Sequence, residues 1–229
     1  MRAPVKTSTF LANIPMFHDA TEAELERLSR GTTELRVPKG QMIFQRGDPC
    51  VGFHVVVYGQ VKLAFVSPNG SEKVVEIIGP GHSFGEALMF TDRPYVVYSQ
   101  ALADTMLLHI TRSAIDAEIA RDPKLALRMI AGLSRRLHGL VQDVEAYSLR
   151  SGLQRVIGYL LRDLEESQQG HEPVRIVLDA NKGVIASRLN LSPEHFSRTL
   201  AELTHEGLIE VHGAQITILD PARLREYLA

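Results

Sequence analysis

The sequence contains a single cysteine, Cys50, and no tryptophan among its 229 residues. One cysteine cannot form a disulfide within the chain, and it cannot supply a cysteine-only zinc or iron–sulfur site. The sequence therefore excludes a disulfide-stabilised scaffold and an iron–sulfur cluster held by the cysteines of one chain.

Long apolar runs are absent as well. No stretch approaches the roughly 20 consecutive apolar residues of a membrane-spanning helix, and the first six residues, MRAPVK, lack the apolar core of a secretion signal. We therefore expect a cytoplasmic protein with no membrane partner. The apolar fraction of 45% and the charged fraction of 23% are ordinary for a globular chain.

A large excess of charge of either sign is also missing. The chain has 25 Lys and Arg against 27 Asp and Glu, which gives a formal net charge of −2. Taken alone, this balance indicates no partner and argues mildly against nucleic acid. Any positive surface must therefore be local.

The first part of the chain is predicted to be mainly β-structure. Over residues 37–110, short apolar stretches alternate with turn sequences roughly every ten residues, which is typical of an antiparallel sandwich or roll. The dipeptide Asn69-Gly70 predicts a hairpin with a type I′ turn, whose two central residues need positive φ. We expect residues 1–120 to form one β-roll domain.

A long helix is predicted next, over residues 121–149. Apolar residues recur there at alternating offsets of three and four for nearly three heptads, which is the spacing of a coiled-coil seam. These seam residues are Ile130, Leu133, Leu137, Leu140, Val144 and Tyr147. The pattern predicts a homodimer joined along this helix. The alternative is an amphipathic helix lying on its own β domain, and both can hold if different faces are used, since Leu125 and Met129 lie off the seam.

The last part of the chain carries a helix-turn-helix pattern. Residues 181–205 read NKGVIASRLNLSPEHFSRTLAELTH. Ser192 can cap the second helix and Pro193 suits its first position. In a helix-turn-helix, the N-terminal residues of the second helix reach base edges. Apolar stretches on either side of His212-Gly213 predict a β-hairpin, the wing of a winged helix.

The predicted contacts to double-stranded DNA lie around the turn and on the outer face of the second helix. They are Lys182, Arg188, Ser192, Pro193, Glu194, His195, Ser197 and Arg198. A helical hairpin in any α+β domain would show a similar pattern, but the wing and the upstream dimer helix favour DNA binding, since two-fold dimers read palindromic sites. The expected fold is thus α+β, with an N-terminal β-roll, a long dimerisation helix, and a winged helix-turn-helix over residues 150–229.

With these features, the whole chain resembles the Crp/Fnr superfamily of bacterial transcription regulators. The resemblance implies that the β-roll of residues 1–120 is like a cyclic-nucleotide-binding jelly roll and senses an effector. Residues 84–90 (FGEALMF) contribute to the likeness. Residues 86–95 (EALMFTDRPY) and 191–198 (LSPEHFSR) look most like the Dnr group, whose members respond to nitric oxide. The resemblance implies a regulator that is not an enzyme, with RNA polymerase as a further partner, as for an activator. The sequence does not fix the sign of regulation.

The resemblance also implies which bases are read. Glu194, Ser197 and Arg198 match the Fnr-type pattern, which implies half-sites like TTGAT. Arg198 would contact guanine, Glu194 a cytosine amino group and Ser197 a thymine, and the first two pairings agree with general stereochemistry. Pro193 stands where cyclic-AMP receptors carry an arginine, so their operator is not expected.

The effector pocket implied by the resemblance surrounds the phosphate-binding segment of the roll. Its residues are Gly85, Glu86, Ala87, Tyr95 and Val97. Val96 and Val97 occupy the places of the Arg-Ser pair found in cyclic-nucleotide binders, and a buried phosphate would lose its main counter-charge without that pair. Cyclic AMP is therefore not the expected effector.

The likeness to the Dnr group leaves haem, sensing nitric oxide, as the effector to be tested. Haem needs an axial ligand and an apolar pocket, and the candidate ligands are His82 and His138. Two alternatives stay open: a ligand-free regulator, and an enzyme or regulatory subunit that uses the roll for cyclic nucleotide. No catalytic or dinucleotide-binding motif in the sequence supports the last of these.

Overall fold

The computed structural model describes residues 6–162, 164 and 172–228. The chain divides into two compact units, residues 1–138 and residues 139–229, and the division falls inside the long helix. Among the described residues, no helix is both long enough and apolar enough to cross a membrane.

The first unit is a β-roll with short helices around it. Its helices are α1 (Thr7–Ala12), α2 (Glu22–Arg30), α3 (Glu86–Phe90) and α4 (Arg112–Arg121), and a 3₁₀ turn covers Pro15–Phe17. Its strands are β1 (Thr32–Val37), β2 (Met42–Phe44), β3 (Gly52–Tyr58), β4 (Val61–Val66), β5 (Glu72–Ile78), β6 (Ser83–Phe84), β7 (Tyr98–Ala101) and β8 (Thr105–Thr111). The long helix α5 (Lys124–Leu149) begins in this unit and ends in the second.

Two four-stranded sheets form the roll, with strand orders β1-β8-β3-β6 and β2-β7-β4-β5. The strand pairs are antiparallel, as the turn spacing predicts. Consecutive residues of β3 are buried. Because successive side chains point to opposite sides of a sheet, this strand is buried on both faces. Phe53 and Val55 pack with residues of the surrounding helices, whereas Val56 packs with residues of the second sheet.

The hairpin between β4 and β5 is present at Asn69-Gly70, but its predicted turn type is wrong. Of these two residues only Gly70 has positive φ, at 83°. The N–H of Gly70 donates to the carbonyl of Ser67, and the N–H of Ser67 donates to the carbonyl of Ser71, each at 2.9 Å. This is a type I turn followed by a glycine bulge. Pro68 explains the difference, because its fixed negative φ suits the second position of a type I turn.

The first half of α5 packs on the roll. Leu125 and Met129 are each 2% exposed and join the cluster of helix-facing core residues. Further along, Arg136 donates from Nε to Glu76 Oε2 at 2.9 Å and from Nη1 to the carbonyl of Ser83 at 3.1 Å. The off-seam face of the helix is therefore occupied by its own β domain.

The second unit contains the end of α5 and a winged helix-turn-helix. Its further helices are α6 (Gly152–Leu161), α7 (Lys182–Arg188), α8 (Pro193–His205) and α9 (Pro221–Glu226), and its strands are β9 (Val174–Val177), β10 (Ile209–His212) and β11 (Gln215–Ile218). The strands form one antiparallel sheet in the order β10-β11-β9, so the predicted wing hairpin gains a third strand.

A buried histidine in β3 predicts that the roll is sensitive to acid. His54 is 6% exposed and stacks on Phe84 with ring centroids 5.1 Å apart. Burial, together with the neighbouring His109, lowers the pKa of His54 to about 3. The unfolded chain takes up a proton at this position near pH 6.5, whereas the folded chain stays neutral there. The free energy of unfolding should therefore fall as the pH drops from about 6.5 towards 3, by up to about 1.4 kcal/mol per pH unit.

Urea unfolding at about pH 7 and about pH 5 measures this loss. We expect the loss to be smaller in a His54→Phe variant than in the wild type. A variant at the exposed His18, whose side chain is 84% exposed, should lose as much stability as the wild type. An equal loss in wild type and His54→Phe would contradict the assignment.

Candidate nucleic-acid interface and effector cavity

Helices α7 and α8 form the predicted helix-turn-helix, and each begins at a side-chain cap. Asn181 Oδ1 accepts the N–H of Val184 at 3.0 Å, and Ser192 Oγ accepts the N–H of His195 at 3.2 Å. Between the helices, Asn190 adopts a φ of 58°, a left-handed conformation that asparagine adopts more readily than most residues. Local sequence signals therefore place both helices and the turn.

The inner faces of α7 and α8 share one apolar core. Ile185, Ala186 and Phe196 are fully buried, and Leu200 is 2% exposed. Residues of α6 pack in the same cluster; they are Val156, Ile157, Leu160 and Leu161. Because the inner faces are buried in this way, the outer face of α8 is left open to a partner.

Three predicted base-reading residues lie on this outer face. Glu194, Ser197 and Arg198 are all exposed within the first two turns of α8. The backbone N–H of Glu194 and the hydroxyl of Ser192 lower the pKa of the Glu194 carboxyl. This carboxyl is therefore ionised at neutral pH, and an ionised carboxylate acts only as an acceptor of hydrogen bonds.

The other predicted DNA contacts near the turn have different surroundings. Lys182 is half-buried at the start of α7, and Pro193 is exposed at the first position of α8. The Ser192 oxygen already serves as a cap. The ring of His195 lies against Gly152 at the start of α6, so close that a Cβ atom placed on Gly152 would lie 2.8 Å from the ring.

Arg188 faces the long helix. Its Nη2 lies 2.5 Å from Asp143 Oδ2, and its Nη1 donates to the hydroxyl of Tyr147. That hydroxyl in turn donates to the carbonyl oxygen of Arg188 at 2.5 Å, and burial raises the pKa of the Tyr147 phenol. The structure thus brings together a residue predicted to bind DNA and one predicted to lie in the dimer seam.

The seam of α5 is an apolar stripe that is largely open to solvent. Ile130, Leu137 and Val144 are 58%, 62% and 64% exposed, and Leu140 is 37% exposed. Leu133 and Tyr147 are half-buried. Contiguous exposed apolar surface of this kind marks an interaction surface.

The five predicted effector residues differ in their burial and in whether they line a cavity of the first unit. Glu86 is 4% exposed, and it alone among them lines the cavity in the first unit. Tyr95 is 5% exposed within the core of the roll. Gly85 and Val97 are half-buried, and Ala87 is exposed.

This cavity has a volume of about 420 Å³. One part of its wall is apolar: Ile14, Pro15, Met16, Met129 and Leu133. Another part is polar or charged: Glu76, His82, Ser83, Glu86, Arg128, Arg135 and Arg136. Glu86 Oε2 lies 3.6 Å from Arg136 Nη1, which is an ion pair but too long for a hydrogen bond. Burial raises the pKa of the Glu86 carboxyl.

Of the two candidate haem ligands, only His82 lines the cavity, although its ring is exposed. Its Nδ1 lies 3.0 Å from the carbonyl oxygen of Pro80. A backbone carbonyl that accepts from Nδ1 fixes the tautomer in which Nε2 carries the lone pair for a metal. His138 is exposed on α5.

Sequence reasoning missed Arg128 and Arg136 as cavity residues. Their sequence positions gave a weak signal, since both interrupt the apolar stretches of α5. The carboxylate that pairs with Arg136 belongs to Glu76 on the roll, 60 residues away in the sequence.

Family models match both units of the chain. A cyclic nucleotide-binding domain matches residues 34–122, and a Crp-like helix-turn-helix domain matches residues 154–227. This chain belongs to the Crp/Fnr family. Members of this family are transcription regulators that bind DNA through the helix-turn-helix, and the architecture of roll, long helix and C-terminal helix-turn-helix agrees with that assignment.

Similar proteins align along nearly the whole length of this Crp/Fnr regulator. The CRP-like cAMP-activated global transcriptional regulator of Mycobacterium tuberculosis is 25% identical over 216 residues, 93% of this chain and 96% of that protein. The fumarate and nitrate reduction regulatory protein of Vibrio cholerae is 26% identical over 210 residues, 90% of this chain and 82% of that protein. The crystal structure of DNR from Pseudomonas aeruginosa is 30% identical, covers 99% of this chain and 100% of that chain, and has a TM-score of 0.52.

Proposed function

We propose that this Crp/Fnr regulator is a cytoplasmic homodimer that reads a TTGAT-like palindrome and works with RNA polymerase. The observation that carries the base-reading assignment is the exposure of Glu194, Ser197 and Arg198 on one outer face of α8. An arginine suits the two acceptors of guanine, and an ionised carboxylate accepts from the amino group of cytosine. Pro193 offers no side-chain donor at the preceding position, so the operator should differ from that of cyclic-AMP receptors.

Arg198→Ala tests this assignment. Loss of a bidentate contact to guanine should weaken binding to the palindrome by about 1–3 kcal/mol, which is about 5-fold to 150-fold. The variant should also stop distinguishing guanine from adenine at the contacted position. Fluorescence anisotropy with a labelled operator measures both effects.

The matched control for this experiment is Arg223→Ala. Arg223 is exposed on α9 in the same unit. Arg223→Ala therefore removes one positive charge, as Arg198→Ala does, but from a helix other than α8. Unchanged affinity in Arg198→Ala, or an equal loss in both variants, would show that the base-reading assignment is wrong.

The proposed dimer rests on the open stripe of α5. The buried face of this helix is occupied by the roll, whereas Ile130, Leu137 and Val144 remain more than half exposed. These residues recur at the spacing that a second copy of the same helix would interdigitate with. A two-fold pair of helix-turn-helix units is also what a palindromic operator requires.

Leu137→Asp should convert the dimer into a monomer, because it places a charge in the centre of the seam without a partner. Sedimentation velocity at micromolar protein concentration measures the change. Leu127→Asp is the control, since Leu127 is 65% exposed on the same helix but lies off the seam. A monomeric wild type, or a Leu137→Asp variant that remains dimeric, would contradict the proposed seam.

The effector proposed for the cavity of the first unit is haem. The apolar part of the wall suits the macrocycle, and Arg128 and Arg135 suit its carboxylates, whereas Arg136 is already paired with Glu76. His82 would be the residue that holds the iron, because its Nδ1 already faces a carbonyl and Nε2 carries the lone pair for a metal. When bound, haem would supply an iron that takes nitric oxide. An effector of this kind acts by binding the DNA-competent conformation more tightly than the other.

Visible absorption spectra of the purified protein titrated with haem test this proposal. We expect a haem-bound spectrum in the wild type and in His138→Ala, and its loss or marked change in His82→Ala. If His138→Ala changed the spectrum and His82→Ala did not, the assignment of the ligand to His82 would be wrong. Tight calorimetric binding of cyclic AMP would instead support the nucleotide alternative, and equal DNA affinity with and without haem and nitric oxide would support a ligand-free regulator.

A further inference from the structure

The turn between α7 and α8 is held by side chains from outside the helix-turn-helix. The hydroxyl of Tyr147 donates to the carbonyl oxygen of Arg188 at 2.5 Å. Nη1 of Arg155, on α6, donates to the carbonyl oxygens of Leu189 and Asn190 at 2.8 and 3.1 Å. The last carbonyls of a helix have no partners within it, so these bonds satisfy three consecutive groups where α7 ends.

The side chain of Arg188 binds the same face of α5. Its Nη2 lies 2.5 Å from Asp143 Oδ2, and its Nη1 donates to the Tyr147 hydroxyl. Asp143 and Tyr147 are four residues apart, so they are neighbours on one side of the helix. We name the set Asp143, Tyr147, Arg155 and Arg188 the turn clamp.

The exposure and charge of Arg188 indicate that its guanidinium is committed to the clamp. The side chains of Arg188 and Asp143 are only 20% and 29% exposed. A partly shielded ion pair with a short hydrogen bond is held more firmly than an exposed pair. Reaching a DNA phosphate would require Arg188 to leave both the carboxylate of Asp143 and the hydroxyl of Tyr147.

We propose that Arg188 is a positioning residue for DNA recognition and does not itself contact DNA. The turn clamp fixes the end of α7 and the turn to the last part of α5, and α8 begins directly after that turn. The direction in which α8 presents Glu194 and Arg198 is then set by α5. This inference rests on the proposed reading of DNA by α8, and it gives a movement of α5 a route to the recognition helix.

Operator affinity measured over a range of salt concentrations tests the clamp. A residue that contacts a phosphate lowers the salt slope by about 1 when it is removed, whereas a positioning residue leaves the slope unchanged. We expect Arg188→Ala and Asp143→Asn each to weaken binding about tenfold, the size expected for loss of one charge-assisted hydrogen bond. The slope should stay that of the wild type, and the double variant should bind no more weakly than Arg188→Ala.

A reversed pair separates positioning from contact more sharply. Asp143→Arg combined with Arg188→Glu should recover much of the affinity that Arg188→Glu alone loses. If Arg188 contacts phosphate, the added carboxylate repels DNA and the second change cannot restore binding. A slope reduced by about 1 in Arg188→Ala, or unchanged affinity in Asp143→Asn, would also overturn the proposal.

Hydrogen exchange of the free protein gives a readout that does not depend on the operator. Amides of residues 189–192 and 194–196 should exchange faster in Asp143→Asn and Arg188→Ala than in the wild type, and equally fast in the two. Unchanged exchange would overturn the clamp. If the wild type fails to bind the palindrome but exchange responds as expected, the proposed operator is wrong while the clamp stands.

Discussion

The long helix α5 carries more apolar surface than the described part of the chain covers, and it contributes to both units of the structure. Leu125 and Met129 are buried on the roll, and Arg136 reaches the carboxylate of Glu76. The stripe through Leu137 and Val144 stays open. One helix therefore serves three partners: its own β-roll, the proposed second copy, and the turn of the helix-turn-helix.

The cavity and the turn clamp lie at different places on this one helix. Arg136 lines the cavity of the first unit, and Asp143 holds Arg188 in the second. These two residues of α5 are only seven positions apart, which is two helical turns. The residue of α5 that lines the cavity is thus close in the chain to the residue that belongs to the turn clamp.

Much of this architecture could be predicted because its signals are local. The caps at Asn181 and Ser192, together with the proline at position 193, define where α7 and α8 begin. The turns of the roll are likewise marked by glycine and proline. Helix α9 could have been predicted from the same kind of signal, since Asp220 caps it and Pro221 occupies its first position.

The site details that sequence reasoning missed depend on contacts between distant parts of the chain. Arg188 and Asp143 are 45 residues apart, and Arg136 and Glu76 are 60 residues apart. Periodicity assigned Tyr147 to the seam and a motif assigned Arg188 to DNA, but no pattern within either segment indicates that the two side chains meet. The turn type at Asn69 was mispredicted for the opposite reason, because a local rule was applied without the proline beside it.

Tyr147 has a consequence for engineering this protein into orthogonal pairs. A designer who wishes to turn the proposed homodimer into heterodimers would normally redesign every position of the proposed seam of α5 with complementary charges or shapes. At Tyr147 such a redesign would also remove the phenol that bonds to Arg188. Pairing specificity is therefore best encoded in the more exposed positions Ile130, Leu137 and Val144, which are not part of the turn clamp.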